Sequence, residues 1–224
     1  MGAAVIWLRV KFVKRDILVY LSHLDIVRLF ERLLRRADAP LVFSQGFTPR
    51  PKMLFSRALP LGVESDGEFL DVGLDLGAGD PRLPKLQADL VALAHPPGTV
   101  LSSRILADGE ATIDRAVARA RCSVDGRLGG GQDADATRSA LDRLCEGRPG
   151  DDEEAALFGK VSDAEVRGES ASSDGMVTLT FTGLAAGDDS LSLSRMRKWL
   201  QQSCLSVDRF IRTALLDADG KPVG

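Results

Sequence analysis

The chain has 224 residues, 44% hydrophobic and 27% charged, with mean hydropathy near zero. That allows one or two domains with a buried core, and it excludes a wholly disordered, collagen-like or membrane-spanning chain. The net charge of −3 hides a division: residues 1–60 hold eleven Lys or Arg against four acids, so the remainder is strongly acidic. Such asymmetry points to a polyanion or an acidic partner near the N-terminal part. Cys122, Cys145 and Cys204 form no close pair, and His23 and His95 are the two histidines. No disulfide scaffold, iron–sulfur cluster or His-rich metal centre is therefore indicated, and neither a metal nor a cofactor is expected. Met1–Leu8 is apolar but short and lacks a basic leader, so it reads as a first strand. The expectation is a cytoplasmic protein with no membrane partner.

Val5–Arg15 alternates, with Ile6, Leu8, Val10 and Phe12 on one side and Trp7, Arg9 and Lys11 on the other, the period of a half-buried strand. Ser22-His-Leu-Asp25 has the spacing of a capping box and opens a helix to about Asp38, with an apolar stripe of Ile26, Val27, Phe30, Leu33, Leu34 and Ala37. A loop around Ser44–Pro51 leads to a strand over Lys52–Leu59, and Gly67–Leu76 is a clearer one. Arg82–His95 reads as a helix stopped by Pro96-Pro97-Gly98, and Thr99–Leu106 as the next strand. The order is β-α-β-β-α-β, the split βαβ of a ferredoxin-like fold.

The same order recurs. Ala116–Val124 is strand-like, Ala134–Leu144 helical and Ala156–Arg167 a weak strand. Met176–Thr182 alternates, with Val177, Leu179 and Phe181 inward. Leu191–Gln202 is a helix and Val207–Leu216 a closing strand. The fold class expected is α+β: two ferredoxin-like halves in tandem, antiparallel sheets with helices packed on one face. A basic half, residues 1–110, would join an acidic half, 111–224, near residues 108–115. Gly129–Asp135 and Gly147–Glu154 read as polar loops of the second half.

Arg28, Arg32 and Arg35 share one helix face with Arg36 beside them, a stripe able to track phosphates. The plainer alternative is a solvated face neutralised by the pairs Asp25–Arg28 and Glu31–Arg35. The stretch Ser44-Gln-Gly-Phe-Thr-Pro-Arg-Pro-Lys52 is the most distinctive in the chain. Pro49 and Pro51 hold Arg50 in extended backbone, Ser44, Gln45, Thr48, Arg50 and Lys52 supply donors, and Phe47 supplies a stacking surface. Against this stands a rigid connection with Phe47 tucked into the core. Trp7, Arg9 and Lys11 superficially resemble an RNA-recognition sheet, but cross-strand charge pairing with Asp71 and Asp75 on the neighbouring strand, or packing against the second half, explains them better. His23 is a remote candidate for a general base, since its partner in sequence, Asp25, is two residues on and not placed face to face with it. His95 reads as a helix C-terminal cation, Gly129–Gly131 lacks the Lys of a phosphate loop, and Cys204 reads as a core residue.

The runs Tyr20-Leu-Ser-His-Leu-Asp-Ile-Val-Arg28, Arg35-Arg-Ala-Asp-Ala-Pro40, Ser44–Lys52 and Leu59-Pro-Leu-Gly-Val-Glu-Ser65 resemble the radical-SAM-linked bacterial family of unknown function. Its members occur fused to, or encoded beside, cobalamin-binding radical SAM proteins. The resemblance implies a bacterial accessory whose partner is a radical SAM protein. It carries over no catalytic residue, and this chain has no CxxxCxxC motif of its own. A looser analogy, of fold only, links tandem ferredoxin-like halves to CRISPR repeat-processing endoribonucleases and RNA pseudouridine synthases. The expected function is a non-catalytic module binding RNA, such as tRNA or rRNA, through Arg28, Arg32, Arg35, Arg36, Ser44, Gln45, Phe47, Arg50 and Lys52. The alternatives are a metal-independent endoribonuclease using His23 and a purely protein-docking subunit.

Overall fold

The computed structural model describes residues 5–128, 132–167, 176–185, 190–203 and 205–223. The readings placed on Met1–Ala4, Gly129–Gly131 and Cys204 lie outside the described residues. Among the described residues there are eight strands, mostly antiparallel, and six α-helices. The chain divides into two units, the first made of residues 1–61 and 66–116 and the second of 62–65 and 117–223.

In the first unit, β1 (Val5–Lys14) is followed by a 3₁₀ turn (Asp16–Tyr20) and α1 (His23–Arg36). Strands β2 (Met53–Phe55) and β3 (Glu64–Asp75) come next, then α2 (Leu83–Leu93), β4 (Val100–Ile105) and the single turn α3 (Ile113–Ala116). The strands lie in the order β4-β1-β3-β2. Helix α1 starts where the capping box places it: the Asp25 amide donates to Ser22 Oγ and the Ser22 amide to the Asp25 carboxylate, both at 3.3 Å. Ile26, Phe30, Leu33 and Leu34 face inward onto Leu8, Val10 and Phe12 of β1 and Leu70, Val72 and Leu74 of β3. Phe12 and Phe30 meet at 4.6 Å between ring centroids, their planes tilted by 58°.

Strand β2 is shorter than the expected Lys52–Leu59. Its ladder ends at Phe55, and beyond it the Phe69 amide donates to the Ser56 hydroxyl at 3.2 Å, which itself donates to the buried Glu68 carboxylate at 2.7 Å.

The second unit holds β5 (Arg119–Leu128), α4 (Gln132–Glu146), α5 (Asp152–Phe158), β6 (Val161–Arg167), β7 (Met176–Leu184), α6 (Leu193–Gln202) and β8 (Leu205–Leu216). Its strand order is β8-β5-β7-β6, every one of these pairs antiparallel, and Glu64 and Ser65 pair parallel with Ile211 and Arg212 of β8. Val177, Leu179 and Phe181 point inward as the alternation requires, and Phe181 meets Phe210 at 6.0 Å. Ala156–Phe158 is not strand, and Asp152–Glu154 is not loop: both belong to α5. Asp151 caps that helix by accepting from the Glu154 amide at 2.8 Å, and three acids fill its first turn, where the helix dipole favours them.

Glu154 is the polar centre of this unit. Buried to 5% exposure, it accepts from Arg143 at 2.7 and 3.1 Å, from the Gly150 amide at 2.6 Å and from the Trp199 indole at 3.2 Å. Those donors, Arg143 first, hold its carboxyl down at about 2.

One close backbone approach constrains sequence. A Cβ at Gly126 of β5 would stand 2.6 Å from the Ser206 carbonyl oxygen of β8, where the strand register shifts. Main chain cannot yield as a side chain can, so Gly126→Ala is expected to cost about 1–3 kcal/mol of stability, read from the urea midpoint.

Candidate nucleic-acid interface

Arg28, Arg32, Arg35 and Arg36 all stand exposed on α1. Of the two neutralising pairs offered, Asp25–Arg28 forms at 3.4 Å between exposed side chains, where solvent screens it. The Asp25 carboxyl lies below its ordinary value, chiefly because the Ser22 hydroxyl donates to it. Glu31 does not pair with Arg35. Among the described residues Arg32, Arg35 and Arg36 have no ion-pair partner, so the face keeps most of its positive charge.

The Ser44–Lys52 loop is closed by its own backbone. The Ser44 amide donates to the Arg50 carbonyl at 2.8 Å, the Arg50 amide to Ser44 Oγ at 3.1 Å and the Lys52 amide to the Val42 carbonyl at 2.7 Å. Val42 and Lys52 are tied in turn to Gly73 of β3. Gln45–Pro49 projects from this base, with Gly46 at φ +144°. Phe47 does not tuck into the core; its ring is fully exposed (110%). Arg50 and Lys52 are exposed, with no ion pair among the described residues.

The structure sorts these residues into different places. Arg50 lines a groove of about 460 Å³ with His23, Glu31, Phe55, Arg57 and Asp114. Arg32 and Arg36 line a depression of about 120 Å³ on another flank of α1, with Leu93 and His95. His95 itself lies beyond the end of α2 and is exposed. His23 meets the edge of Phe55 at 5.5 Å and has no hydrogen-bond partner among the described residues. A general base is ordinarily oriented by a hydrogen bond to a second polar group, and among the described residues His23 makes none.

The other side of the sheet is occupied. Arg9, 3% exposed, makes a bidentate pair with the fully buried Asp71, both bonds 2.8 Å. Asp71 also accepts from the Ile113 amide at 2.7 Å, and Arg9 donates to the Ala111 carbonyl at 3.0 Å. Glu110 pairs with Arg104 at 2.6 and 2.9 Å and meets Arg9 at 3.5 Å; Arg104 above all holds its carboxyl down at about 2. Segment 107–116 therefore closes over β1 and β3, so Arg9 is a structural partner there. This is the cross-strand charge pairing read with Asp71, while the segment that seals it was not legible. An isoleucine, Ile113, in the otherwise polar run 107–116 was the available signal.

Among the described residues no group of three or more His, Cys, Asp or Glu could hold a metal ion, and no helix is long and apolar enough to cross a membrane. What fold and surface define is an α+β protein whose first unit presents a basic helix face and a projecting loop with an aromatic tip. The chain belongs to a family of uncharacterized proteins conserved in bacteria (DUF2344), matched over residues 7–149. No curated protein matches it. Among solved structures it is similar to the archaeal box H/ACA sRNP Nop10–Cbf5 complex, at 10% identity and a TM-score of 0.44, over 96% of this chain and 49% of that one. The chain thus spans about half the length of that structure.

Proposed function

We propose that this chain is a cytoplasmic, non-catalytic module whose first unit binds RNA through the α1 arginines and the Ser44–Lys52 loop. The observation that carries the reading is the loop tip: a fully exposed Phe47 on a base closed by hydrogen bonds, next to Arg50 and Lys52 with no ion pair among the described residues. An aromatic face offered to solvent beside unpaired cations suits stacking on a base while the cations meet phosphates. Ser44 acts by setting the loop, its hydroxyl being engaged by the Arg50 amide, and Gln45 flanks the exposed ring.

The module reads as two ferredoxin-like βαββαβ units, a reading supported by the strand orders β4-β1-β3-β2 and β8-β5-β7-β6. The partner to which it would present RNA is a radical SAM protein, supported by the sequence resemblance of residues 20–65. Co-purification of the two proteins tests that partnership.

Fluorescence anisotropy with tRNA and rRNA fragments over a salt series tests the RNA reading. Affinity should fall linearly on a log–log plot, with a slope of about −0.7 per phosphate contacted in single strands. Arg50→Glu with Lys52→Glu should weaken binding and flatten that slope. Phe47→Ala should cost about 1–3 kcal/mol of binding if one base stacks there, while the melting temperature stays unchanged because the ring buries nothing. No binding at low salt, or binding indifferent to all three substitutions, would remove the interface from this surface.

A further inference from the structure

The second unit has an acid excess: residues 117–224 carry 18 Asp or Glu against 14 Lys or Arg. One groove reverses that balance. About 420 Å³ in volume, it gathers Lys160, Arg195 and Lys198 over a floor that includes Leu157 and Trp199, and its one acid is the exposed Glu153. Lys160 follows the end of α5, while Arg195 and Lys198 stand three residues apart on α6 and so share a face. Trp199 is fixed from behind by its indole bond to Glu154 at 3.2 Å and by Phe158, edge-on at 5.3 Å.

Arg127, Arg143, Arg148, Arg167 and Arg209 of the same unit each hold a carboxylate. The three groove cations have no ion pair or side-chain hydrogen bond among the described residues. Cations gathered with no ion pair among the described residues repel one another, and an anion between them relieves that repulsion. The groove also includes Ser192, the N-cap of the ten-residue α6, an end whose dipole adds positive potential.

We propose that this groove is a ligand site separate from the RNA surface, taking a free, nucleotide-sized phosphorylated molecule. Lys160, Arg195 and Lys198 hold the phosphates, and the ring lies on the apolar floor of Leu157 and Trp199. The volume lies within the range of small-molecule sites, and a guanidinium beside two ammonium groups is the donor set phosphate oxygens favour.

Isothermal titration of the full chain with ADP, inorganic pyrophosphate and a 5′-phosphorylated oligoribonucleotide tests the proposal. ADP should bind saturably and pyrophosphate more weakly, since it forgoes the floor. The double variant R195Q/K198Q should bind ADP at least about tenfold more weakly at an unchanged melting temperature, because both side chains are exposed and unpaired. The variant R50E/K52E should bind ADP as the wild type does, which separates this site from the RNA reading. Absence of saturable ADP binding overturns the proposal, as does equal affinity in R195Q/K198Q or pyrophosphate binding as tight as ADP. Binding of the oligoribonucleotide without ADP would equally overturn it, by assigning the cations to RNA ends.

Discussion

Asp71→Ala is expected to unfold the first unit at temperatures where the wild type remains native. The substitution leaves the Arg9 guanidinium, 3% exposed, without its bidentate partner and deprives the Ile113 amide of its acceptor. Breaking a buried ion pair from one side costs about 3–5 kcal/mol, which for a unit of this size lowers Tm by roughly 10 °C or more. Removing both charges is different, since an apolar replacement of a buried pair is close to neutral. Arg9→Met with Asp71→Leu should therefore recover most of the loss. It should stop short of wild type by about 1–3 kcal/mol, the cost of the Ile113 amide left unsatisfied. Thermal and urea unfolding of Asp71→Ala, the double variant and wild type measures both effects. A single Asp71→Ala variant as stable as wild type would mean the pair does not hold segment 107–116 down.

The second large effect is acid destabilisation through Glu154 and Glu110. Both carboxyls lie at about 2 in the folded chain, against an ordinary 4.5. A depressed folded value means that the unfolded chain binds more protons at intermediate pH. Their contribution is thus fully present above pH 4.5 and is lost as pH falls from there through about 2. Each is expected to contribute on the order of 3 kcal/mol at neutral pH, Glu110 less because it is partly exposed. Glu154→Gln should lower stability at pH 7 by about 2–3 kcal/mol, because Arg143, the Gly150 amide and the Trp199 indole lose a charged acceptor. It should also flatten the urea-midpoint profile between pH 4.5 and 2. A variant with the wild-type acid profile would show that Glu154 titrates normally.

Much of the scaffold was legible in local pattern. Period-two alternation in Val5–Lys14 and Met176–Leu184 and the Ser22–Asp25 capping box are properties of neighbouring residues, so they survive in one dimension. Helix α5 is just as local: Asp151 and Glu154 stand at capping distance, yet the apolar run after them also fits the start of a weak strand, and that hides it. The surface was legible only as a list. Arg28, Arg32, Arg35 and Arg36 follow helix spacing and are exposed together, but nothing in their order assigns Arg32 and Arg36 to a different depression from Arg50.

From the residues alone come most of the element order, the Ser22 cap of α1, the charge division and the unusual make-up of residues 44–52, because each depends on contacts within a few residues. The tertiary structure decided what lies far apart in the chain. It joined Arg9 to Asp71, and it withheld Glu31 from Arg35. It brought Lys160 to Arg195 and Lys198, and it left Phe47 in solvent. Pairing across tens of residues depends on strand order and on which faces are covered, and the hydrophobic pattern specifies which side is buried without naming what buries it.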